Sequence, residues 1–117
     1  MNQEGTTSRD YRYTPLIIAA RFEHFQIVKY LIEQCEADPN IANCVGYNAL
    51  HQAALNNKKD TKVIELLLPH MPLTSINKQK FGGYTPLDYA YKYNKSPIKQ
   101  KIIDLIRSKG GKRSGEL

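Results

Sequence analysis

Adjacent pairs of apolar residues recur along the chain at the spacing of one helical turn. There are three such sets: Ile27-Val28 with Leu31-Ile32, Val63-Ile64 with Leu67-Leu68, and Ile102-Ile103 with Leu105-Ile106. Pairs spaced in this way form one broad apolar stripe along a helix of 3.6 residues per turn, with polar residues on its other side. The pattern predicts three amphipathic helices, each of which needs a neighbour to cover its stripe.

A shorter apolar segment precedes each of these helices. The three segments read YTPLIIAA from Tyr13, YNALHQAA from Tyr47 and YTPLDYAY from Tyr84. Thr-Pro is a common way to open a helix, because proline lacks only an N–H that the first turn does not use and its fixed φ suits the helix. Each striped helix is therefore predicted to be the second member of a helix pair.

The helix pairs form a repeat. Thr14, Asn48 and Thr85 occupy equivalent places, at steps of 34 and 37 residues, and self-similarity at this period is typical of stacked repeat proteins. A single pair cannot bury its own stripe, so the units are expected to stack in a line. The longer second step is explained by longer loops around NNKKD and PHMP.

The 28 residues from Tyr13 to Asn40, YTPLIIAARFEHFQIVKYLIEQCEADPN, resemble the ankyrin repeat family, whose repeat of about 33 residues carries a T-P-L-H-x-A core. The resemblance covers roughly residues 10 to 111 in three copies. It implies an all-α, ankyrin-type solenoid of helix-turn-helix repeats joined by short hairpin-like loops. The chain departs from the family pattern at the His near the start of the first helix. This residue is present only in repeat 2, as His51, and is replaced by Ile17 in repeat 1 and Asp88 in repeat 3. The Thr-to-His hydrogen-bond network is therefore expected to be partial.

The resemblance divides the chain into five segments. Residues 1–9 are expected to be a flexible N-terminal segment, followed by repeats at 10–40, 41–77 and 78–111, the last acting as a C-terminal cap. Residues 112–117 are expected to be a flexible basic tail. The left-handed glycine that ends the second helix is present only in repeat 3, at Gly110-Gly111.

The two ends of the stack differ. Arg107 stands where Ile32 and Leu68 stand in the other repeats, and basic residues follow it, which indicates a last helix that faces water. The first helix instead presents Leu16, Ile17 and Ile18, with no earlier repeat in the sequence to cover them. This suggests either the terminal part of a longer array or a chain that is a monomer or associates weakly with itself through the first repeat.

Composition narrows the class of protein. No apolar run is long enough for a membrane span or a signal peptide, and two cysteines, Cys35 and Cys44, are too few for a disulfide scaffold. We therefore expect a soluble protein of the cytoplasm, or alternatively of the nucleus, without a membrane partner. The net charge of +6 lies entirely in residues 90–117, where eight Lys or Arg face two acids.

Few residues in the sequence are candidates for catalysis, metal binding or phosphate binding. His24 and His51 occupy positions that the family uses for internal hydrogen bonds, and His70 lies beside two prolines. No nucleophile, base and orienting residue share a recognisable spacing, and Gly82-Gly83 belongs to a hairpin, not to a phosphate loop. The sequence predicts no enzyme activity, no cofactor and no metal site.

The functional prediction rests on residues expected at the surface of the stack. In ankyrin-like stacks, the partner-facing positions are the hairpin tips before Thr-Pro and the residues after the Ala pair. Carried over to this chain, these are Tyr11, Tyr13, Arg21, Phe22, Cys44, Val45, Tyr47, Leu55, Asn56, Phe81, Tyr84, Lys92 and Tyr93. Tyr and Arg are frequent at binding hot spots because they offer large contact areas. Tyr13, Tyr47 and Tyr84 could equally serve packing, whereas Tyr30, Tyr89 and Tyr91 are expected to pack inside the stack.

These positions predict a non-enzymatic module that binds a protein partner on its concave face. Arg21, Lys92 and the basic C-terminal end favour a partner of acidic character. Two alternatives stay open: RNA or another polyanion bound by the third repeat and tail, or a structural spacer in a longer array.

Overall fold

The computed structural model describes residues 14–43, 46–80 and 82–117, and these residues fold into helices joined by turns, with no strand among them. Four predicted partner positions, Tyr11, Tyr13, Val45 and Phe81, lie outside these ranges, as do Cys44 and the predicted N-terminal segment at residues 1–9. The helices are α1 Pro15–Arg21, α2 Phe25–Glu33, α3 Ala49–Asn56, α4 Lys62–Leu67, α5 Leu73–Ile76, α6 Pro86–Tyr93 and α7 Lys99–Ser108. Two 3₁₀ turns span Leu68–His70 and Ser114–Glu116. The predicted all-α fold is confirmed.

The first helix of each pair begins at the predicted residue. The side chains of Thr14, Asn48 and Thr85 each accept a hydrogen bond from the N–H three residues later, which caps the helix N-terminus. Thr14 and Thr85 are each followed by proline in the first turn, where its missing N–H costs no hydrogen bond. The repeated segment is therefore a repeated helix start.

The helix pairs stack in a row. α1 packs against α3, α3 packs against α6, and each of these helices also packs against the second helix of its own pair, α2, α4 or α7. The equivalent leucines Leu16, Leu50 and Leu87 are all buried in this row. The apolar stripes of α4 and α7 are buried as well, so one continuous core runs through the stack.

Tight turns precede α3 and α6 and have the hairpin-like form that the repeat implies. The N–H of Asn43 donates to the carbonyl of Tyr47, and the N–H of Lys80 donates to the carbonyl of Tyr84. Gly46 has a φ of 91°, which favours glycine, and a Cβ there would lie 2.8 Å from the Cα of Lys80. Successive turns thus lie directly against each other.

The loops between paired helices are linked across repeats. The side-chain amide of Asn57 donates a hydrogen bond to the carbonyl of Ala20 in α1, and that of Asn94 donates to the carbonyl of Ala54 in α3. Both distances are 2.8 Å. In repeat 1 the equivalent residue is Glu23. Its carboxylate accepts hydrogen bonds at 2.8–3.1 Å from the N–H groups of residues 58, 59 and 60. The longer loop of repeat 2 is therefore held by the carboxylate of repeat 1.

The C-terminal residues fold back onto repeat 3, in contrast to the flexible tail expected at 112–117. The N–H of Lys112 donates to Asn77, and its carbonyl accepts from the Thr85 hydroxyl at 2.8 Å. Arg107 is only half exposed, because its guanidinium lies over the ring of Tyr91 and pairs with Glu116. Arg107 therefore does not simply face water.

Two expectations for repeat 1 also need correction. Leu16 and Ile17 are buried, because both face the packed helices, and of the three residues expected to be open only Ile18 is exposed. Tyr30 is 59% exposed, whereas Tyr89 is buried as expected and Tyr91 is half-buried. Tyr30 remains open because no other described helix covers that side of α2. The left-handed backbone after α2 is adopted by Glu36, with a φ of 55°, in place of the missing glycine.

We expect the carboxylate of Glu23 to stabilise the stack. Replacing Glu23→Gln removes the charge while keeping the shape, so hydrogen bonds to three N–H groups weaken and the free energy of unfolding falls by about 1–2 kcal/mol. Urea denaturation followed by circular dichroism measures this change. The matched control is Glu33→Gln, whose carboxylate pairs with exposed Lys29 and whose charge loss should cost less than about 0.5 kcal/mol. Equal effects of the two substitutions would contradict the prediction.

Candidate functional site

A buried polar network connects repeats 2 and 3. The N–H of Asn48 donates to His51 Nδ1 at 3.1 Å, so this ring nitrogen carries no proton. The other ring nitrogen, Nε2, lies 3.1 Å from the carbonyl oxygen of Tyr84 and donates to it. His51 therefore fixes the position of the turn that carries Tyr84.

The protonation state of His51 follows from its burial. Desolvation lowers the pKa of the imidazole from its ordinary 6.5 to about 4, although the hydrogen bond to the Tyr84 carbonyl acts in the opposite direction. His51 is neutral at physiological pH and is occupied on both nitrogens. It holds the structure together and has no free nitrogen for catalysis or a metal.

Asp88 takes the place of His51 in repeat 3 and binds the C-terminal residues. Its carboxylate accepts hydrogen bonds from the N–H groups of Thr85 and Ser114 and from the Arg113 guanidinium, at 2.9–3.1 Å. Burial raises the pKa of the Asp88 carboxyl, but these donors outweigh burial and leave the pKa below its ordinary value. The network expected to be partial is thus complete in repeat 2 and rebuilt around a carboxylate in repeat 3.

Four tyrosines form a cluster beside this network: Tyr47, Tyr84, Tyr89 and Tyr93, called the tyrosine cluster below. The Tyr89 hydroxyl donates to the Tyr47 hydroxyl at 2.9 Å, and the rings of Tyr84 and Tyr93 lie with centroids 5.5 and 5.6 Å from that of Tyr89. Burial raises the pKa of the Tyr89 hydroxyl. Tyr89 is the buried centre, and the other three rings reach the surface around it.

Two lysines border the tyrosine cluster. Lys80 Nζ lies 5.8 Å from the ring centre of Tyr47 and 5.7 Å from that of Tyr84, and Lys92 Nζ lies 5.3 Å from the Tyr84 ring centre. A hydrogen bond from Lys92 and a second from Tyr93 hold the pKa of the Tyr84 hydroxyl below its ordinary value. The cluster therefore presents aromatic rings, hydroxyl groups and positive charge together.

Two grooves, called the loop grooves below, run along the loops that follow α1, α3 and α6, and Tyr93 of the cluster lines the larger one. The larger, of about 440 Å³, is lined by Leu55, Asn56 and Tyr93 among others. The smaller, of about 280 Å³, is lined by Arg21, Phe22 and again Asn56. Lys58, Lys59 and Lys95 also line them, while the one acid in the lining, Glu23, is engaged by the three loop N–H groups.

The structure brings the described partner positions into one surface. Tyr93 belongs to both the tyrosine cluster and the larger groove, and Asn56 lines both grooves. The eight residues joined in this way are Arg21, Phe22, Tyr47, Leu55, Asn56, Tyr84, Lys92 and Tyr93. Sequence reasoning missed Lys80, although the hairpin register that pairs it with Tyr84 could have indicated it.

Other kinds of site lack support in the described ranges. No group of three or more His, Cys, Asp or Glu residues that could hold a metal ion occurs in residues 14–43, 46–80 and 82–117. None of the helices described above is long and apolar enough to cross a membrane.

Comparison with known proteins agrees with the repeat architecture. A family model of ankyrin repeats matches residues 16–112 in three copies. The chain belongs to the ankyrin repeat family. It is also 36% identical over 101 residues to an ankyrin repeat protein of Fowlpox virus (strain NVSL), an alignment that covers 86% of this chain.

Ankyrin repeats are generally protein-interaction modules, and the family is typically non-enzymatic. The chain spans about a quarter of the length of the fowlpox virus protein, 26%. The resemblance of this ankyrin repeat chain to its relative therefore concerns the repeat region, and the activity of the longer protein does not transfer with it.

We predict that acidification destabilises the chain through His51. The unfolded state takes up a proton below about pH 6.5, whereas folded His51 stays neutral down to about 4, so the free energy of unfolding falls as pH drops through this window. Between pH 6.5 and 5 the loss is about 1.6 kcal/mol, because the unfolded imidazole is half protonated at the start of this window and a full protonation difference changes the free energy of unfolding by 1.36 kcal/mol per pH unit. Urea titrations at a series of pH values measure it.

His51→Gln should flatten this dependence, since no imidazole is left to protonate at this buried position, at the cost of lower stability at every pH. The control is His70→Gln, which changes an exposed histidine and should leave the dependence as it is in the native chain. If the free energy of unfolding changes with pH equally steeply in both variants, the pH effect arises from groups other than His51.

Proposed function

We propose that the chain binds a protein partner of acidic character through the concave face formed by the tyrosine cluster and the loop grooves. The observation that carries the proposal is the continuity of this surface. Three partly exposed tyrosines, two bordering lysines and the exposed Phe22 lie on one face of a stack whose backbone is held by buried hydrogen bonds. Rigid aromatic side chains offer contact area at a low ordering cost.

Charge supports an acidic partner. The grooves are lined by Arg21, Lys58, Lys59 and Lys95, with Lys92 at the edge of the cluster. The single acid of the lining, Glu23, already accepts three hydrogen bonds from the backbone. A carboxylate on the partner would therefore meet several cations that form no ion pair with any described residue, and little repulsion, which favours fast and selective association.

The polyanion alternative is less well supported. Arg107 pairs with Glu116, Arg113 pairs with Asp88, and both guanidinium groups lie over the ring of Tyr91. These two cations of the C-terminal end thus close the stack and are not presented as a free basic patch. Exposed lysines of α7 and its flanks remain as the basis for RNA binding by the third repeat and tail.

The test is selection of binding peptides from a random display library on the immobilised chain, followed by affinity measurement for the best peptide. We expect the selected peptides to combine Asp or Glu with aromatic or aliphatic residues. Tyr93→Ala and Phe22→Ala should each weaken binding by about tenfold, because each removes an exposed aromatic anchor at one groove. Isothermal titration calorimetry gives the affinities.

The matched control is Tyr30→Ala, which removes an exposed tyrosine that lines neither groove and should leave the affinity unchanged. The salt dependence of binding distinguishes a protein partner from RNA. Peptide affinity should change only modestly between low and high salt, whereas a single-stranded RNA oligonucleotide bound by the third repeat would be released steeply. Unchanged peptide affinity in Tyr93→Ala and Phe22→Ala would contradict the proposal, and failure of any peptide to enrich would favour a structural spacer.

A further inference from the structure

Hydrogen bonds fix which hydroxyl groups of the tyrosine cluster donate and which accept. The Tyr89 hydroxyl donates to that of Tyr47 at 2.9 Å, and the Tyr84 hydroxyl accepts from Lys92 and from Tyr93. A tyrosine hydroxyl carries one proton, which it can still donate while its oxygen accepts. No described residue accepts a hydrogen bond from the hydroxyl of Tyr47 or of Tyr84. Both of these protons are therefore available to a ligand.

Two ammonium groups lie at the same rings. Lys80 belongs to the turn before α6, and Lys92 belongs to the last turn of that helix. Their Nζ atoms lie 5.7 and 5.3 Å from the ring centre of Tyr84, and Lys80 Nζ also lies 5.8 Å from that of Tyr47. An aromatic ring attracts an ammonium group without neutralising it, so both positive charges persist at this place.

No carboxylate compensates these charges in the described part of the chain. None of the ion pairs there involves Lys80 or Lys92. The single acid of α6, Asp88, is buried and already accepts hydrogen bonds from the Arg113 guanidinium and the N–H of Ser114. The two ammonium groups and the hydroxyls of Tyr47 and Tyr84 are called the lysine–tyrosine site below.

The donors of the lysine–tyrosine site suit an oxyanion with more than one charge. Ammonium groups only donate, and the two tyrosine protons add neutral donors beside them. A carboxylate brings one negative charge on two oxygens, whereas a phosphate monoester brings about two charges at neutral pH on three oxygens. The phosphate monoester therefore matches the two ammonium groups in charge and gives each donor an acceptor.

We propose that the lysine–tyrosine site binds the phosphate monoester of a phosphorylated residue on the protein partner. This inference rests on the proposed function, since it names the acidic group by which the partner is recognised on the concave face. Lys80 and Lys92 offset the charge of the phosphate, and the hydroxyls of Tyr47 and Tyr84 donate to its oxygens. The lysines of the loop grooves attract the partner without holding this group. Phosphorylation of the partner thus strengthens its binding to the chain.

Titration of the isotope-labelled chain, followed by NMR, tests the site without requiring the partner. The probes are phenyl phosphate, a simple phosphate monoester, and phenylacetate, which carries a carboxylate on the same ring. Phenyl phosphate should shift the ring signals of Tyr47 and Tyr84 and bind about tenfold more tightly than phenylacetate, because its second charge meets a second ammonium group.

Two variants identify the groups that bind. Lys80→Met/Lys92→Met keeps the aliphatic stems on the rings but removes both charges, so phenyl phosphate should bind about tenfold more weakly. Tyr84→Phe keeps the ring and every charge but removes one donor, so binding should weaken about threefold. Circular dichroism verifies that both variants are folded.

The matched control is Lys58→Met/Lys59→Met, which removes the same charge from the smaller loop groove and should leave phenyl phosphate affinity within about twofold of the native value. Equal weakening in this control and in Lys80→Met/Lys92→Met would reduce the effect to net charge and overturn the proposal. So would equal affinity for the two probes, or the absence of shifts at Tyr47 and Tyr84.

Failure of this inference is distinguishable from failure of the proposed function. Selected peptides that depend on Tyr93 and Phe22, in a chain that does not bind phenyl phosphate, would refute the lysine–tyrosine site and leave the proposed function standing. Phenyl phosphate bound as expected, with peptide affinity unchanged in Tyr93→Ala and Phe22→Ala, would support the site and contradict the wider binding face.

Discussion

Packing of one helix pair against the next is the interaction on which the rest of this structure depends. A pair such as α3 and α4 has too little apolar surface facing inward to fold alone, and its stripe is covered only when α1 and α6 lie on either side. The energy of the fold is therefore spread along the row of first helices. The two ends of the described row differ from its middle. At one end Ile18 of α1 is exposed, and at the other the ion pairs of Arg107 and Arg113 cover repeat 3.

Buried polar groups set the register of this packing. Asn57 and Asn94 reach back to carbonyls of the preceding repeat, and His51 reaches forward to the carbonyl of Tyr84. Each of these hydrogen bonds is made inside the stack, where an unpaired group would be costly. The tyrosine cluster is consequently placed by backbone atoms, and the same network that resists unfolding prepares the surface proposed to bind a partner.

The candidate site was predictable in its members and not in its arrangement. Tyr47, Tyr84 and Tyr93 follow from the repeat, because the repeat fixes which residues precede and follow each first helix. The packing of these three rings around Tyr89 depends on how repeats 2 and 3 contact each other. The position of Lys80 over the rings of Tyr47 and Tyr84 depends on the same contact. The same reason explains the errors: Tyr30 shares its helix with buried residues, yet its exposure depends on a neighbour.

The sequence by itself determined the period, the number of helix pairs and the start of each first helix, because caps, proline and apolar stripes act within a few residues of one another. It also marked the C-terminal end as polar, through Arg107. Tertiary structure alone decided that the Asp88 carboxylate binds the last residues as a cap, that Glu23 holds a loop of the next repeat, and that Leu16 and Ile17 are buried. These features join residues far apart in the chain, and local sequence preferences do not act over such distances.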